Sequence, residues 1–326
     1  MGSIDTSRAE RPTRARVGGT DRERAARFRA RFPPAAKRSL FIRNEILWPN
    51  RTPPVNPDRT EVTDVEATSA AIKQMVRAMG ADVVGVAEYD HRFAFTQAGE
   101  PTDRYVVVYG IAMSYDTMAD IGPRSQDEVH RVYHALDDIG VRLAHQIAAY
   151  GYGATMQANE GDLPLPALGY LAGLGELGKH GSLISPELGS SFRLGAVTTT
   201  MPLAPDGPKD YGIDEVCATC HVCTRFCPGD AIKPDRQVVN GIERWHVDTP
   251  ACEPYFHRLY GCKICLMVCP LNSSTRTSTP GGPDAAAREE RPWTRSSRSS
   301  RPRRRRRPPV ASRAACSRTR IASSGW

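Results

Sequence analysis

Eight cysteines between positions 217 and 269 fall into two runs of one form, Cys217-x2-Cys220-x2-Cys223-x3-Cys227-Pro228 and Cys252-x9-Cys262-x2-Cys265-x3-Cys269-Pro270. A cuboidal iron–sulfur cluster needs four thiolates in a tetrahedral array. Three closely spaced cysteines wrap three irons in one tight loop, and in two-cluster ferredoxins the fourth ligand is the last cysteine of the other run. The pattern predicts two [4Fe–4S] clusters, one on Cys217, Cys220, Cys223 and Cys269 and the other on Cys252, Cys262, Cys265 and Cys227. The proline after each fourth cysteine turns the chain. Zinc sites favour pairs of C-x-x-C units and leave a second three-cysteine run ending in Cys-Pro unexplained. Thiolates used as ligands also imply a reducing compartment rather than disulfides. Cys316 stands far from the others and reads as incidental.

A pure electron carrier would need only the cysteine module. About two hundred residues precede it here, enough for a buried core, so the clusters are expected to feed a second redox site. We divide the 326 residues into a polar N-terminal extension (1–50), a catalytic core (51–212), a ferredoxin-type module (213–275) and a tail (276–326). The formal charge of +8 belongs to the tail, where 14 arginines face three acidic residues; residues 1–275 carry a net of −3. That body has no electrostatic footprint for DNA or RNA. The tail is too polar to bury a core and reads as disordered, with a truncation or frame change expected after about 271. No apolar run approaches the roughly 18–20 residues of a membrane span. The first forty residues lack an apolar signal core, which points to the cytoplasm and no membrane partner.

Apolar periodicity predicts helices over 21–32, 63–79 and 127–150. Strands are expected over 82–86, 105–113, 152–156 and 194–200, with the second buried on both faces. Tyr133 falls inside the apolar stripe of the longest helix and reads as a packing residue. The alternation of helix and strand argues for an α/β or α+β body.

A glycine-rich stretch precedes the cysteines. It contains AGLGELGK at 172–179, SPELG at 185–189 and a strand ending TTTMPL at 198–203. Gly173, Gly175 and Gly178 permit close approach of backbone to a large ligand, and Lys179 adds a cation. A dinucleotide fingerprint and a P-loop both fail on spacing. On residue chemistry alone, a structural turn and a ligand loop stand equal.

Taken in this order, these motifs resemble those of the corrinoid and iron–sulfur reductive dehalogenases, with epoxyqueuosine reductase, a tRNA-modifying enzyme, as a cousin. The resemblance spans residues 38–271. It implies a nitroreductase-like α/β (α+β) core holding base-off cobalamin, contacted by Gly173, Gly175, Gly178 and Asn159, and followed by a ferredoxin-like module. It further implies an organohalide substrate and an external electron donor such as a ferredoxin, flavodoxin or reductase. Asn159 stands where the tRNA enzyme has a catalytic Asp, which counts against epoxyqueuosine reduction and, with the acidic body, against nucleic acid. Family members use a tyrosine assisted by a Lys or Arg as proton donor. The matching strand end is MSYD at 113–116, so Tyr115 is the expected donor and Lys179 the cation that stabilises its phenolate; Tyr133 is the rival. Without the resemblance, Tyr115 would read as a core tyrosine capping a strand. A non-catalytic electron-transfer protein is the alternative of another class.

Overall fold

The run YVVVYGIA forms a strand whose side chains alternate between two apolar layers, as period-2 geometry requires. The computed structural model describes residues 21–89, 103–159, 161, 163–239 and 242–272; Cys316 and the arginine-rich tail lie outside them. The elements, in order, are α1 (Asp21–Ala30), α2 (Pro34–Ile42), α3 (Val65–Ala78), β1 (Val83–Glu88), β2 (Tyr105–Ala112), α4 (Tyr115–Ala119), α5 (Pro123–Ala149), β3 (Ala154–Gln157), α6 (Leu165–Leu171), β4 (Glu176–Leu177), β5 (Leu183–Ile184) and β6 (Phe192–Thr199). The cysteine region adds α7 (Ile213–Thr219), α8 (Val222–Phe226), β7 (Gln237–Val239), β8 (Ile242–Arg244), α9 (Thr249–Arg258) and α10 (Ile264–Met267).

The main sheet has the order β1-β2-β6-β3, and every pairing is antiparallel. Of the two fold classes expected, α+β is therefore the accurate one. Val107, Tyr109 and Ile111 face one layer, with Val84, Val86 and Val197 and the inner sides of α3 and α5. Val106 and Val108 face the other, with Leu194, Ala196 and α6. Tyr109 is fully buried and its hydroxyl donates to Leu136 O at 3.0 Å. Gly195 lies opposite it in the register, and a Cβ there would come within 2.7 Å of the Tyr109 ring.

The longest helix starts one turn earlier than its apolar period suggests. Pro123 sits in its first turn, where no amide is needed, and Ser125 Oγ donates to Gly122 O at 2.8 Å. Helix α3 begins where Asp64 accepts from Ala67 N–H at 2.8 Å, an ordinary N-cap. No helix among the described residues is long and apolar enough to cross a membrane.

The segment expected as an extension is built into the body from Pro34 onward. Ala36 N–H donates to Asp127 at 2.9 Å. Arg43 Nε lies 2.6 Å from Asp137 Oδ2, each side chain about 5% exposed. Removing one partner of such an ion pair leaves a buried charge, a loss of about 3–5 kcal/mol. Arg43→Leu should therefore lower the urea midpoint of unfolding well below that of the parent, with Arg43→Lys in between. Further up the chain, Arg31 donates to His257 O and Arg258 O at 2.8 and 3.1 Å, tying the end of α1 to the last carbonyls of α9.

Candidate active site and cysteine centre

Helices α7 and α8 and the chain after α10 bring Cys217, Cys220, Cys223 and Cys269 around one cavity, together with Lys179 and His180. The other four cysteines form a second set. Burial, then the neighbouring Cys262 and Cys227, push the Cys252 thiol up to about 11. Burial, then Cys262, Cys252, Cys223 and Cys227, push Cys265 up to about 12. In the first set, burial and then Cys217, Cys269 and Cys220 push Cys223 up to about 11. Each set thus contains one cysteine from the opposite run, and Cys223 reaches from one set towards the other. Ala231 N–H donates to Cys227 Sγ at 3.3 Å. Among the described residues no three His, Cys, Asp or Glu side chains close on a single ion; the thiols stand around a space instead. Four crowded, buried thiols ionise together only with a compensating positive centre among them, so this donor set fits a metal cluster. Cys217, Cys223 and Cys269 are buried, whereas all four of the second set are half-buried.

The glycine loop serves its own chain. Gly175 has φ 158°, and a Cβ there would lie 2.1 Å from Ile184 O. The space beside Gly173 is taken by Gly207 O, and that beside Gly178 by the Ile184 side chain. These glycines let β4 and β5 pair and dock closely. The turn between those strands carries Lys179 inward. Its Nζ donates to Pro234 O at 2.8 Å, meets His221 Nδ1 at 3.2 Å and lies 4.7 Å from the Trp245 ring centroid. His221 is half-buried.

Tyr115 opens α4 instead of ending a strand, and is half-buried against the apolar layer beneath α5. No hydrogen bond or ring contact joins it to Lys179 among the described residues, because the ammonium is directed at Pro234, His221 and Trp245. Asn159 is exposed, just after β3.

A polar stripe on α5 escaped the sequence reading. Gln126, His130, Tyr133 and Asp137 recur at i, i+4, i+7 and i+11, one face of a helix. Arg43 Cζ lies 5.0 Å and Arg193 Cζ 5.7 Å from the Tyr133 ring centroid, both within cation–π range. Gln126 Oε1, His130 Nδ1 and Arg193 Nε are buried with no hydrogen-bond partner among the described residues. Such orphans are rare. Burial, with Arg43 and Lys263 nearby, pushes His130 down to about 4, leaving it neutral at neutral pH. Burial and Arg193 push the Lys263 ammonium down to about 8. The stripe also reaches the second cysteine run: a Cβ on Gly261 would lie 3.2 Å from Gln126 Oε1, and Lys263 Nζ donates to Ser125 Oγ at 3.0 Å. Four polar residues at helical spacing on an otherwise amphipathic helix were the signal available in the sequence.

No family model matches the chain. It is 29% identical over 280 residues to the tetrachloroethene reductive dehalogenase of Sulfurospirillum multivorans, covering 70% of this chain and 54% of that protein. It is 31% identical over 158 residues to the epoxyqueuosine reductase of Lactococcus garvieae, covering 46% and 43%; with that relative present, the expected exclusion of nucleic acid finds no support. Among solved structures it is similar to the catabolic reductive dehalogenase NpRdhA in complex with 3-bromo-4-hydroxybenzoic acid, with a TM-score of 0.69 and 26% identity over 77% of this chain and 39% of that one. The chain spans about half the length of the curated reductive dehalogenases it matches first. In sequence and in fold the chain is therefore similar to the reductive dehalogenases, which are oxidoreductases, and over a shorter stretch of sequence to the epoxyqueuosine reductases.

Proposed function

We propose that this chain carries out reductive dehalogenation, in which an organohalide takes up two electrons and one proton and releases halide and the hydrogen-substituted product. The observation that carries this reading is Tyr133, flanked by Arg43 and Arg193 at the end of a polar stripe that begins beside the second cysteine run. Two [4Fe–4S] clusters would sit on the two crossed cysteine sets. The half-buried set of Cys227, Cys252, Cys262 and Cys265 is the better entry point for electrons from an external ferredoxin, flavodoxin or reductase. A corrinoid would supply the low-valent metal chemistry.

The chain's own residues do the rest. The Tyr133 hydroxyl delivers the proton, and the Arg193 and Arg43 guanidiniums stabilise the phenolate left behind. Gln126 Oε1, His130 Nδ1 and Arg193 Nε orient the bound group. Arg43 is paired with Asp137, whereas Arg193 and Lys263 make no ion pair among the described residues, which suits an anionic substrate such as a halogenated phenol or benzoate. In this reading Tyr115 packs α4 and is not the donor.

The test is anaerobic reconstitution of the full chain with iron, sulfide and hydroxocobalamin, followed by metal analysis and a halide-release assay with 3-bromo-4-hydroxybenzoate and a chemical reductant. We expect about eight Fe and one Co per chain, and bromide release. Iron without retained cobalt, and no bromide, would leave an electron carrier and end the dehalogenase reading.

A further inference from the structure

A buried lysine accompanies each cysteine set. Lys179 is 1% exposed and Lys263 2% exposed, although lysine is almost never fully buried unless paired. Neither ammonium lies within ion-pair distance of a carboxylate among the described residues. Lys179 has a carbonyl, an imidazole nitrogen and an indole face. Lys263 has the Ser125 hydroxyl at 3.0 Å and Tyr260 O at 2.6 Å. Neutral partners satisfy the donors but leave a full charge in a poorly polarisable interior, which is costly.

Both lysines are held firmly where they are. Gly178 N–H donates to Ser182 O and Gly181 N–H to Gly178 O, each at 2.9 Å, closing the turn that presents Lys179. Trp245 lies across the ammonium and is itself fixed by a hydrogen bond from Nε1 to Asp214 at 2.8 Å. Lys179 lines the cavity of Cys217, Cys220, Cys223 and Cys269, and its backbone N–H bonds the Cys217 sulfur. Lys263 stands between two cysteines of the other set, and its charge acts on Cys262. Each buried lysine thus borders one cysteine set, Lys179 through the cavity it shares with four cysteines and Lys263 through its place between Cys262 and Cys265.

We propose that Lys179 and Lys263 are the built-in counter-charges of the two iron–sulfur sites, one for each, and that each raises the reduction potential of its own cluster. Reduction adds one negative charge, so a fixed cation nearby in a low-dielectric interior favours the reduced form. Net charge and burial are among the factors that set the potentials of such clusters. The inference rests on the reading that both cysteine sets hold clusters. It assigns Lys179 to electron transfer instead of to proton donation.

The experiment is an EPR-monitored redox titration of the full chain, reconstituted anaerobically with iron and sulfide alone. Lys179→Gln keeps a donor for Pro234 and His221 but removes the charge; Lys179→Arg keeps the charge. We expect Lys179→Gln to move one of the two redox waves to more negative potential by at least a tenfold change in the reduced-to-oxidised ratio, about 59 mV for one electron. Lys179→Arg should stay near the parent, and Lys263→Gln should move the other wave. An unshifted wave in Lys179→Gln at parental iron content overturns the proposal, as does a shift of the same wave by both lysines. Iron lost from the Gln variant but kept by the Arg variant supports it, since the thiolates then need the charge to assemble. Iron lost from both makes Lys179 a packing residue and overturns it. A parent chain that binds no iron would instead remove the cluster reading itself.

Discussion

Replacing Tyr133 by Phe is expected to lower halide release by about 10²–10⁴-fold, the range for loss of a positioned general acid, with iron and cobalt content unchanged. The substitution deletes one hydroxyl and keeps the ring that Arg43 and Arg193 flank, so packing and the cation–π contacts survive. The loss should fall on kcat with KM nearly constant, since the proton is needed only in the transition state. Tyr115→Phe should leave turnover close to the parent, because no cation is brought to that ring among the described residues and its surroundings are the apolar layer under α5. Arg193→Gln should cost part of what Tyr133→Phe costs, and the two should be less than additive, since they act on one phenolate. A Tyr133→Phe enzyme with parental turnover, beside a Tyr115→Phe enzyme that has lost it, would return the proton to the MSYD strand end.

What the sequence made legible was whatever rests on local pattern. Alternation in the YVVVYGIA run gave β2 and its two buried faces, because each side chain's face depends only on its neighbours two residues away. Cysteine spacing gave the two sets, because the fourth ligand follows a rule of connectivity. The proposed proton-donor site was not legible for the opposite reason. Arg43 and Arg193 stand 90 and 60 residues from Tyr133, and only α2 docking on α5 and the place of Arg193 on β6 bring them together. Tyr133 lies at the boundary between the apolar stripe of α5 and its polar one, so periodicity alone read it as packing. The direction of the Lys179 side chain was no more legible. Its motif marks a turn correctly, but the direction of its side chain is set by Trp245, Pro234 and His221, which belong to the cysteine region. Beside it, the chain's own Ile184 and Gly207 lie against Gly178 and Gly173.

Replacing Cys269 by Ser is expected to damage the cluster of the first cysteine run while sparing that of its own run. Cys269 lies only four residues beyond Cys265 in sequence, yet it lines the cavity of Cys217, Cys220 and Cys223. The groups that act on its thiol include Cys220, while those around Cys265 are Cys262, Cys252, Cys223 and Cys227. Cys269→Ser and Cys220→Ser should therefore abolish or convert the same EPR signal and each reduce iron by about four atoms per chain. Cys227→Ser should instead pair with Cys262→Ser. Because a serine oxygen is a harder and poorer ligand for iron than a thiolate, partial loss to a three-iron form is an acceptable variant of this outcome. Ligation within each run would produce the opposite grouping, with Cys269→Ser matching Cys262→Ser and Cys227→Ser matching Cys220→Ser. Crossing also bears on stability. Each cluster would then tie the chain around α7 and α8 to the chain around α10, so losing either cluster should loosen the whole cysteine region. Limited proteolysis after residue 213 would show this as faster cleavage in all four variants than in the parent, and parental cleavage in all four would mean that the two halves are held together by packing alone.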